Sequence, residues 1–480
     1  MVLLALIPTA VLAEPSAAPP VLATSQSSPV VAGKPRLRAS GRFFTDPAGR
    51  VVILRGLNLS GNAKVPPFLP LHDPRLLDPL PSLGVNVVRL VFIWEAFEPA
   101  PGVYDEAYLS WMRTIAREAW ARGIHVIVDI HQDGYSRFVS RGSGDGFPAW
   151  ACSAGIRTRE PDNGLGCKYW PVLMATDFRM HRSFADFHAD RHGVRTRYLL
   201  MLREIAAAFA DNPGVIGYDP LNEPWGRERS DLAALYHDAA GAIRSADPTA
   251  ILFLEGHVTT NCGLQTRLPR PAFANVAYAP HYYHPITILQ SGWNGLDRPI
   301  ERAFVQMESK AEEWSVPLFL GEFGGPAEAD RIGDYVSRIY DRLDERLASG
   351  AQWNYTPGWD DRAKDGWNGE DFNILDPSGR LRPNFVARPY PSLTAGVPRR
   401  FEFRGGPATE GGRGLVFLWE HCPERGDTEV FLPGRLFPPN SLLTIEGPPD
   451  AVCWRDGARQ RLVCRSPTPG LIRVTVRARD

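Results

Sequence analysis

Short apolar runs, rich in β-branched residues and bounded by turn formers, recur along the first three quarters of the chain, at 51–57, 85–93, 124–130, 215–221, 251–254, 276–283, 316–320 and 351–355. Their length and composition predict buried strands. Stretches of helical periodicity lie between them, at 108–122, 197–210, 232–246, 300–314 and 332–347. Strand followed by helix, repeated eight times, predicts an α/β fold closed as a parallel (β/α)8 TIM barrel. A doubly wound sheet uses the same alternation, but no Gly-x-Gly-x-x-Gly follows the first run, which counts against it.

The pattern changes near residue 395. Short alternating runs at 401–403, 414–419, 428–431, 442–445 and 471–476, broken by Pro and Gly, predict a small β-sandwich. The expected division is therefore a barrel over 35–394 and an all-β domain over 395–480. Residues 1–34 read differently again: an apolar stretch ends at Val11 to Ala13 in a small-residue pattern, and a Pro/Ser/Ala-rich segment follows. That resembles the core and cleavage site of a signal peptide, lacking its basic start, and then a linker. A secreted or periplasmic location is the expectation, and no later run is long and apolar enough to span a bilayer.

Composition narrows the ligand. Lys plus Arg number 53 and Asp plus Glu 54, so nothing in the charge balance recruits nucleic acid. Thirteen Trp and fourteen Tyr supply aromatic faces of the kind that hold sugars. The six cysteines, an even number, fit an oxidising compartment. Cys152 with Cys167 and Cys453 with Cys464 would close short loops; Cys262 and Cys422 would then pair across the two domains or stay as free thiols. No Cys-x-x-Cys spacing suggests zinc, and although His131, His281 and His284 could converge, no His-x-x-x-His run joins them. Neither metal nor organic cofactor is expected, and the chain is read as a monomer.

Function in a barrel of this kind sits at the C-terminal ends of the strands. Arg89 lies near the end of the second run, His131 ends the third, and Asn222 with Glu223 ends the fourth. His281 and Tyr283 end the sixth, Glu322 the seventh and Trp353 the eighth. Random placement does not put polar groups at so many exits onto one mouth. The two glutamates form the pair that glycoside cleavage needs, one protonated to assist the departing oxygen and one ionised to attack. Glu223 is read as the acid/base, its proton retained through burial and the charge of Glu322. Glu322 is read as the nucleophile, kept ionised by Arg89 and Tyr283. Retention of configuration requires a carboxyl separation of about 5–5.5 Å, a distance that sequence does not reveal. The long segment 133–191 after the third run is an insertion of the kind that serves a binding site.

These residues carry a resemblance. Leu-Asn-Glu-Pro at 221–224, Gly-Glu-Phe-Gly at 321–324, Arg89, His131, His281 with Tyr283, and Trp353 are similar to the active-site set of the cellulase-type family 5 glycoside hydrolases. The family implies a two-step retaining mechanism in which Glu223 is the acid/base, Glu322 the nucleophile and Asn222 the residue that holds the sugar 2-hydroxyl. Three further stretches resemble the endoglycoceramidase branch: Asn-Leu-Ser-Gly-Asn-Ala-Lys at 58–64, Asp-Ile-His-Gln-Asp-Gly-Tyr-Ser at 129–136 leading to Gly-Asp-Gly-Phe-Pro-Ala-Trp at 144–150, and Asp-Gly-Trp-Asn-Gly-Glu-Asp at 365–371. By that resemblance Lys64 and Asp133 contact the sugar, and a C-terminal β-sandwich is expected.

The leading reading is hydrolysis of the β-glycosidic bond between a glucose or oligosaccharide head group and ceramide. Alternatives are a β-glucosidase acting on glucosylceramide or a steryl glucoside, an endo-β-glucanase, and a non-catalytic glycan-binding protein. Apolar strips at 65–71 and 286–289 could receive lipid chains or pack onto the barrel. Trp225, Trp359 and Trp367 are candidate sugar platforms. The expected partners are a glycolipid or β-glycan substrate and, transiently, a membrane or micelle surface.

Overall fold

Eight parallel strands, Arg55–Leu59, Val87–Ile93, His125–His131, Val215–Asp219, Ile251–Leu254, Val276–Tyr278, Phe319–Leu320 and Ser349–Tyr355, pair in chain order, and the eighth returns to the first with Gly350 opposite Arg55. A bridge between Tyr278 and Leu318 joins the sixth to the seventh. Just beyond it, His281–Tyr282 pairs with Glu322–Phe323, which sets His281 directly opposite Glu322. These coordinates are a computed structural model that describes residues 36–479 except 140–141, 154–169, 291, 361 and 406–411. The signal segment and linker expected over 1–34, and Cys167, lie outside the described residues.

The strands are buried along nearly their whole length because helices cover the outside while side chains fill the interior. Val87, Ile127, Phe253, Ala277, Phe319 and Ala351 share one apolar cluster at the N-terminal end of the barrel. Side chains two positions apart on a strand point the same way. Arg89, Asp129, Glu255 and Trp353, each two residues beyond a member of that cluster, therefore form a polar layer above an apolar floor. Outside, the helices Glu106–Ala121, Val194–Phe209, Ala233–Ala246, Arg298–Trp314 and Ile332–Glu345 match the predicted periodic stretches. Ile332–Glu345 shows why: Ile332, Tyr335, Val336, Ile339, Tyr340 and Leu343 recur at helical spacing and are all buried.

The run at 51–57 is not one strand. Val51–Val52 pairs antiparallel with Thr394 and Leu393, and the barrel begins only at Arg55. Continuous hydrophobicity hides the break, since Ile53 and Leu54 are apolar and buried on either side of the change of direction. The expected boundary at 394/395 is corrected accordingly. Arg38–Ser40, Phe43–Thr45 and Val51–Val52 belong to a seven-stranded sheet with Tyr390–Thr394, Thr428–Phe431, Arg461–Arg465 and Val452–Asp456. Phe44 from this N-terminal segment closes the barrel floor, stacking on Phe253 at 5.9 Å and meeting Phe319 edge-on at 6.5 Å.

A second, four-stranded antiparallel sheet, formed by Gly396–Arg404, Gly414–His421, Gly470–Arg477 and Leu442–Glu446, packs on the first through Phe401, Phe417, Trp419, Phe431, Leu462 and Val474. The result is the expected sandwich, built from both ends of the chain. Cys453 and Cys464 face each other on neighbouring strands and are joined as a disulfide. Cys262 and Cys422 do not pair: both are free thiols, bonded to Thr259 O and to the Glu424 carboxylate respectively. The sandwich meets the barrel at Gly84, whose φ is +87° and whose position would bring an added Cβ to 2.4 Å from the Phe431 ring. Tyr390 Oη donates to the carbonyl of the same glycine at 2.7 Å.

Candidate active site

Glu223 and Glu322 reach one another at the mouth. A carboxylate oxygen of each lies within 4.8 Å of the other, with His281 Nδ1 inside the same group. Glu223 follows the fourth strand with φ +42°, a left-handed conformation that costs a bulky residue about 1–3 kcal/mol and persists only when its surroundings impose it. Here they do. The Gln132 amide donates to the carbonyls of Asn222 and Glu223 at 2.7 and 3.0 Å, and the Glu223 N–H donates to Glu255 Oε2 at 3.1 Å.

Glu322 is surrounded by donors. Arg89 Nη1 donates to its Oε1 at 2.7 Å and Tyr283 Oη to its Oε2 at 2.8 Å. Arg89 itself is fixed by Asp129, Asp219 and the side-chain amide oxygen Oδ1 of Asn222, which accept at 2.9, 2.8 and 2.7 Å. Burial alone pushes Glu322 up, but the charges of His281, Arg89, His131 and Lys64 outweigh it and hold its carboxyl below the ordinary range. Glu223 goes the other way. Burial is the main cause, opposed by the hydrogen bond from His281 and reinforced by the charges of Asp133 and Glu322, so its carboxyl sits above the ordinary value. The Glu322 charge thus contributes less than either burial or Asp133.

His281 joins the pair. Its Nδ1 is 2.9 Å from Glu223 Oε1 and 3.5 Å from Glu322 Oε2, and its Nε2 is 3.2 Å from Glu255 Oε1. Burial disfavours its charge, yet these carboxylates more than compensate and raise it well above an ordinary imidazole. His131 is held by Asp129 at 2.7 Å and lies parallel to the Trp353 ring at 5.5 Å. Burial lowers His131, but Asp129 and Asp133 outweigh it and push it up to about 10. Lys64 Nζ donates to Asp133 Oδ2 at 2.6 Å and sits between the faces of Trp353 and Trp367, at 4.3 and 4.1 Å.

A cleft of about 320 Å³ opens over these groups. Glu223, Glu322, Lys64, Asp133, Tyr283 and Trp353 are among its lining, while Arg89, His131, Asn222 and His281 stand directly behind them. The rest of its lining is largely apolar and includes Met174, Ala175, Trp225, Val258, Ile288 and Phe372. Met174 and Ala175 come from the helix Trp170–Thr176 in the long insertion. Ile288, from the strip at 286–289, also faces the cleft. The strip at 65–71 does not: Phe68 and Leu71 are buried in the barrel core. Trp225 lines the cleft, stacked on His181 at 3.9 Å. Trp359 instead packs beneath Arg382 at 4.4 Å, and one face of Trp367 is taken by Lys64. Nor do His131, His281 and His284 converge, for among the described residues no cluster of ligating atoms holds more than one histidine.

Four site residues escape a reading of strand ends. Glu255 follows the fifth strand and could have been found by the same test, whereas Asp129 sits within the third strand and Asp219 ends the fourth two residues short of the run read at 215–221, so both show only as charges in apolar runs. Glu370, in the loop after the eighth strand, accepts from Trp353 Nε1 at 3.2 Å; burial is the main cause that pushes its carboxyl up to about 8.

Several known proteins are similar to this chain. Endoglycoceramidase I of Rhodococcus hoagii (strain 103S) is 29% identical over 442 residues, 86% of this chain and 82% of that protein. A glucosylceramidase of Aspergillus fumigatus is 36% identical over 247 residues, 39% of this chain and 32% of its own. The solved structure of endo-glycoceramidase II from Rhodococcus sp. in its ganglioside GM3 complex aligns with a TM-score of 0.77 at 27% identity, covering 92% of this chain and 100% of that one. The same enzyme as a lactosyl-enzyme intermediate gives 0.75 at 26%, with the same coverage. Residues 46–358 match the cellulase family, glycosyl hydrolase family 5, and the chain belongs to that family.

Proposed function

We propose that this glycoside hydrolase cleaves the β-linkage between a sugar head group and a ceramide, with retention of configuration. The observation that carries this reading is the Glu223–Glu322 pair: oxygens within 4.8 Å, one carboxyl above and one below its ordinary range. Retaining enzymes need a separation of about 5–5.5 Å, too small for an intervening water.

In the first step Glu322 attacks the anomeric carbon. The bond to the lipid oxygen breaks as Glu223 gives that oxygen its proton, leaving a glycosyl ester on Glu322 and a free lipid alcohol. In the second step Glu223, now ionised, takes a proton from water; the oxygen attacks the same carbon and the ester bond breaks, which regenerates Glu322 and releases the sugar. Arg89 and Tyr283 stabilise the Glu322 carboxylate as it leaves. Asn222, Lys64, Asp133, His131 and Trp353 hold the sugar, and the apolar lining of the cleft takes the lipid.

A lipid surface belongs to the same reading. Val172 and Phe178 flank the cleft-lining Met174 and Ala175, Leu264 follows Cys262 by two residues, and all three are more than half exposed, at 54%, 72% and 59%. Such a patch favours contact with a membrane or micelle. The disulfide and the apolar N-terminal run support export from the cytoplasm.

The test is product analysis on defined glycolipids. Intact lactose released from lactosylceramide, with Glu322→Gln inactive, is the expected result. Release of glucose from glucosylceramide with no turnover of lactosylceramide would favour the second reading, to which the glucosylceramidase similarity points. Turnover confined to soluble cellooligosaccharides would remove the lipid from the proposal.

A further inference from the structure

A carboxylic acid acts as a proton donor from one of its two oxygens, and catalysis depends on which one carries the proton. Glu223 Oε1 is 2.7 Å from Asn261 Nδ2, which donates to it, and 2.9 Å from His281 Nδ1. No described residue hydrogen-bonds Oε2. An oxygen that accepts two N–H groups has no room for a hydroxyl hydrogen of its own, because that hydrogen would face the donors head-on. The proton is left with Oε2.

Asn261 also reaches the other carboxyl, through the backbone. Its carbonyl accepts the N–H of Tyr283 at 2.8 Å, and Tyr283 Oη donates to Glu322 Oε2. It belongs to the short helical segment Val258–Cys262 after the fifth strand, whose Val258, Thr259 and Cys262 line the cleft beside it. The residue that braces the acid is therefore part of the cleft wall.

We propose that Asn261 is a positioning residue which, with His281, occupies Glu223 Oε1 and so directs the acid proton to Oε2, toward the departing oxygen. This rests on the reading of Glu223 as the acid/base. Asn261 acts through Glu223, to which it donates.

Leaving-group dependence provides the test. Dinitrophenolate leaves a 2,4-dinitrophenyl β-glucoside without proton assistance, whereas the octanol of an octyl β-glucoside leaves only as it is protonated, so damage confined to acid catalysis falls mainly on the second. With the full-length protein, Asn261→Ala is expected to lower kcat/KM for the octyl glucoside about tenfold, a part of what general acid catalysis contributes. The loss on the dinitrophenyl glucoside should be at least fivefold smaller. Removing a donor to Glu223 also disfavours its ionised form, so the basic limb of the pH profile should move to higher pH. Asn261→Asp, which sets a second carboxylate against Oε1, should move that limb further in the same direction.

Glu223→Ala measured beside these variants separates two failures. If it shows the octyl-selective loss and neither Asn261 variant does, or if both substrates suffer equally from Asn261→Ala, the positioning role is overturned and the acid assignment stands. If Glu223→Ala itself shows no selectivity, the acid assignment falls and the inference falls with it. A thermal melt of each variant places the kinetic comparison below its unfolding transition.

Discussion

Arg89 donates to Glu322 Oε1 at 2.7 Å across the barrel mouth while three buried acids around it, Asp129, Asp219 and Glu255, hold its other terminal nitrogen. One guanidinium both neutralises that buried acidic layer and aims a donor at the proposed nucleophile. A lysine ammonium is a point charge and cannot span these partners at once. Arg89→Lys should therefore lower kcat/KM by about 10- to 100-fold, the worth of one charge-assisted hydrogen bond. Arg89→Ala leaves buried carboxylates without a counter-charge and should cost about 3–5 kcal/mol in urea unfolding. A stable Arg89→Ala protein would show that the layer is less charged than the geometry implies.

The two glutamates should give a bell-shaped profile of kcat/KM against pH. Activity falls on the acid side as Glu322 takes up a proton, at a pH below the ordinary carboxylate value, and on the alkaline side as Glu223 loses one, at a pH above it. Because the carboxyls interact, both limbs belong to the pair. Glu223→Gln should abolish the alkaline limb in whatever activity remains toward an activated aryl glycoside. If that limb persists unchanged, another group controls it.

Lys64→Met tests the polar part of the lining. Burial works to raise Asp133, and the neighbouring charges of Lys64 and His131 outweigh it, holding the carboxyl at about 2. A group whose folded value is depressed contributes stability above its unfolded value, and that contribution is lost as pH falls through the folded value. Removing Lys64 should thus destabilise the protein by about 3 kcal/mol near neutral pH. The difference between the two proteins should narrow as the pH drops from about 4 to about 2. Urea unfolding at a series of pH values reads this directly, and a difference independent of pH would assign the loss to packing.

Gly84→Ala tests the seam between barrel and sandwich. The added methyl meets the Phe431 ring, and the left-handed backbone at φ +87° penalises any side chain. Strain of about 1–2 kcal/mol from the backbone and about 1–3 kcal/mol from overpacking predicts a marked fall in thermal stability. Turnover well below the transition should be retained, because the seam lies away from the cleft. Normal stability would mean that the seam yields.

Local pattern alone was enough for the barrel and for its most telling side chains. Alternation of apolar runs with helical periods specifies strands wrapped by helices, and polar residues where such runs end are legible because nothing in a core requires them there. Glu223, Glu322, His131, His281 and Tyr283 announce themselves in this way, whereas Arg89 and Trp353, expected at the ends of their runs, lie inside the strands Val87–Ile93 and Ser349–Tyr355. Contacts between distant segments were decided only by the tertiary structure. The break after Val52 follows from pairing with Thr394, more than three hundred residues away, and apolar identity is the same on both sides of it. Phe68 and Leu71 face the core while Ile288 faces the cleft, although both strips are equally hydrophobic. Asn261, in the short helical segment after the fifth strand, and Glu370, in the loop after the eighth, end no strand; they matter because the closing barrel brings those segments over Glu223 and Trp353. The proton balance between the two glutamates is likewise tertiary, for burial and surrounding charge depend on which strands come to lie side by side.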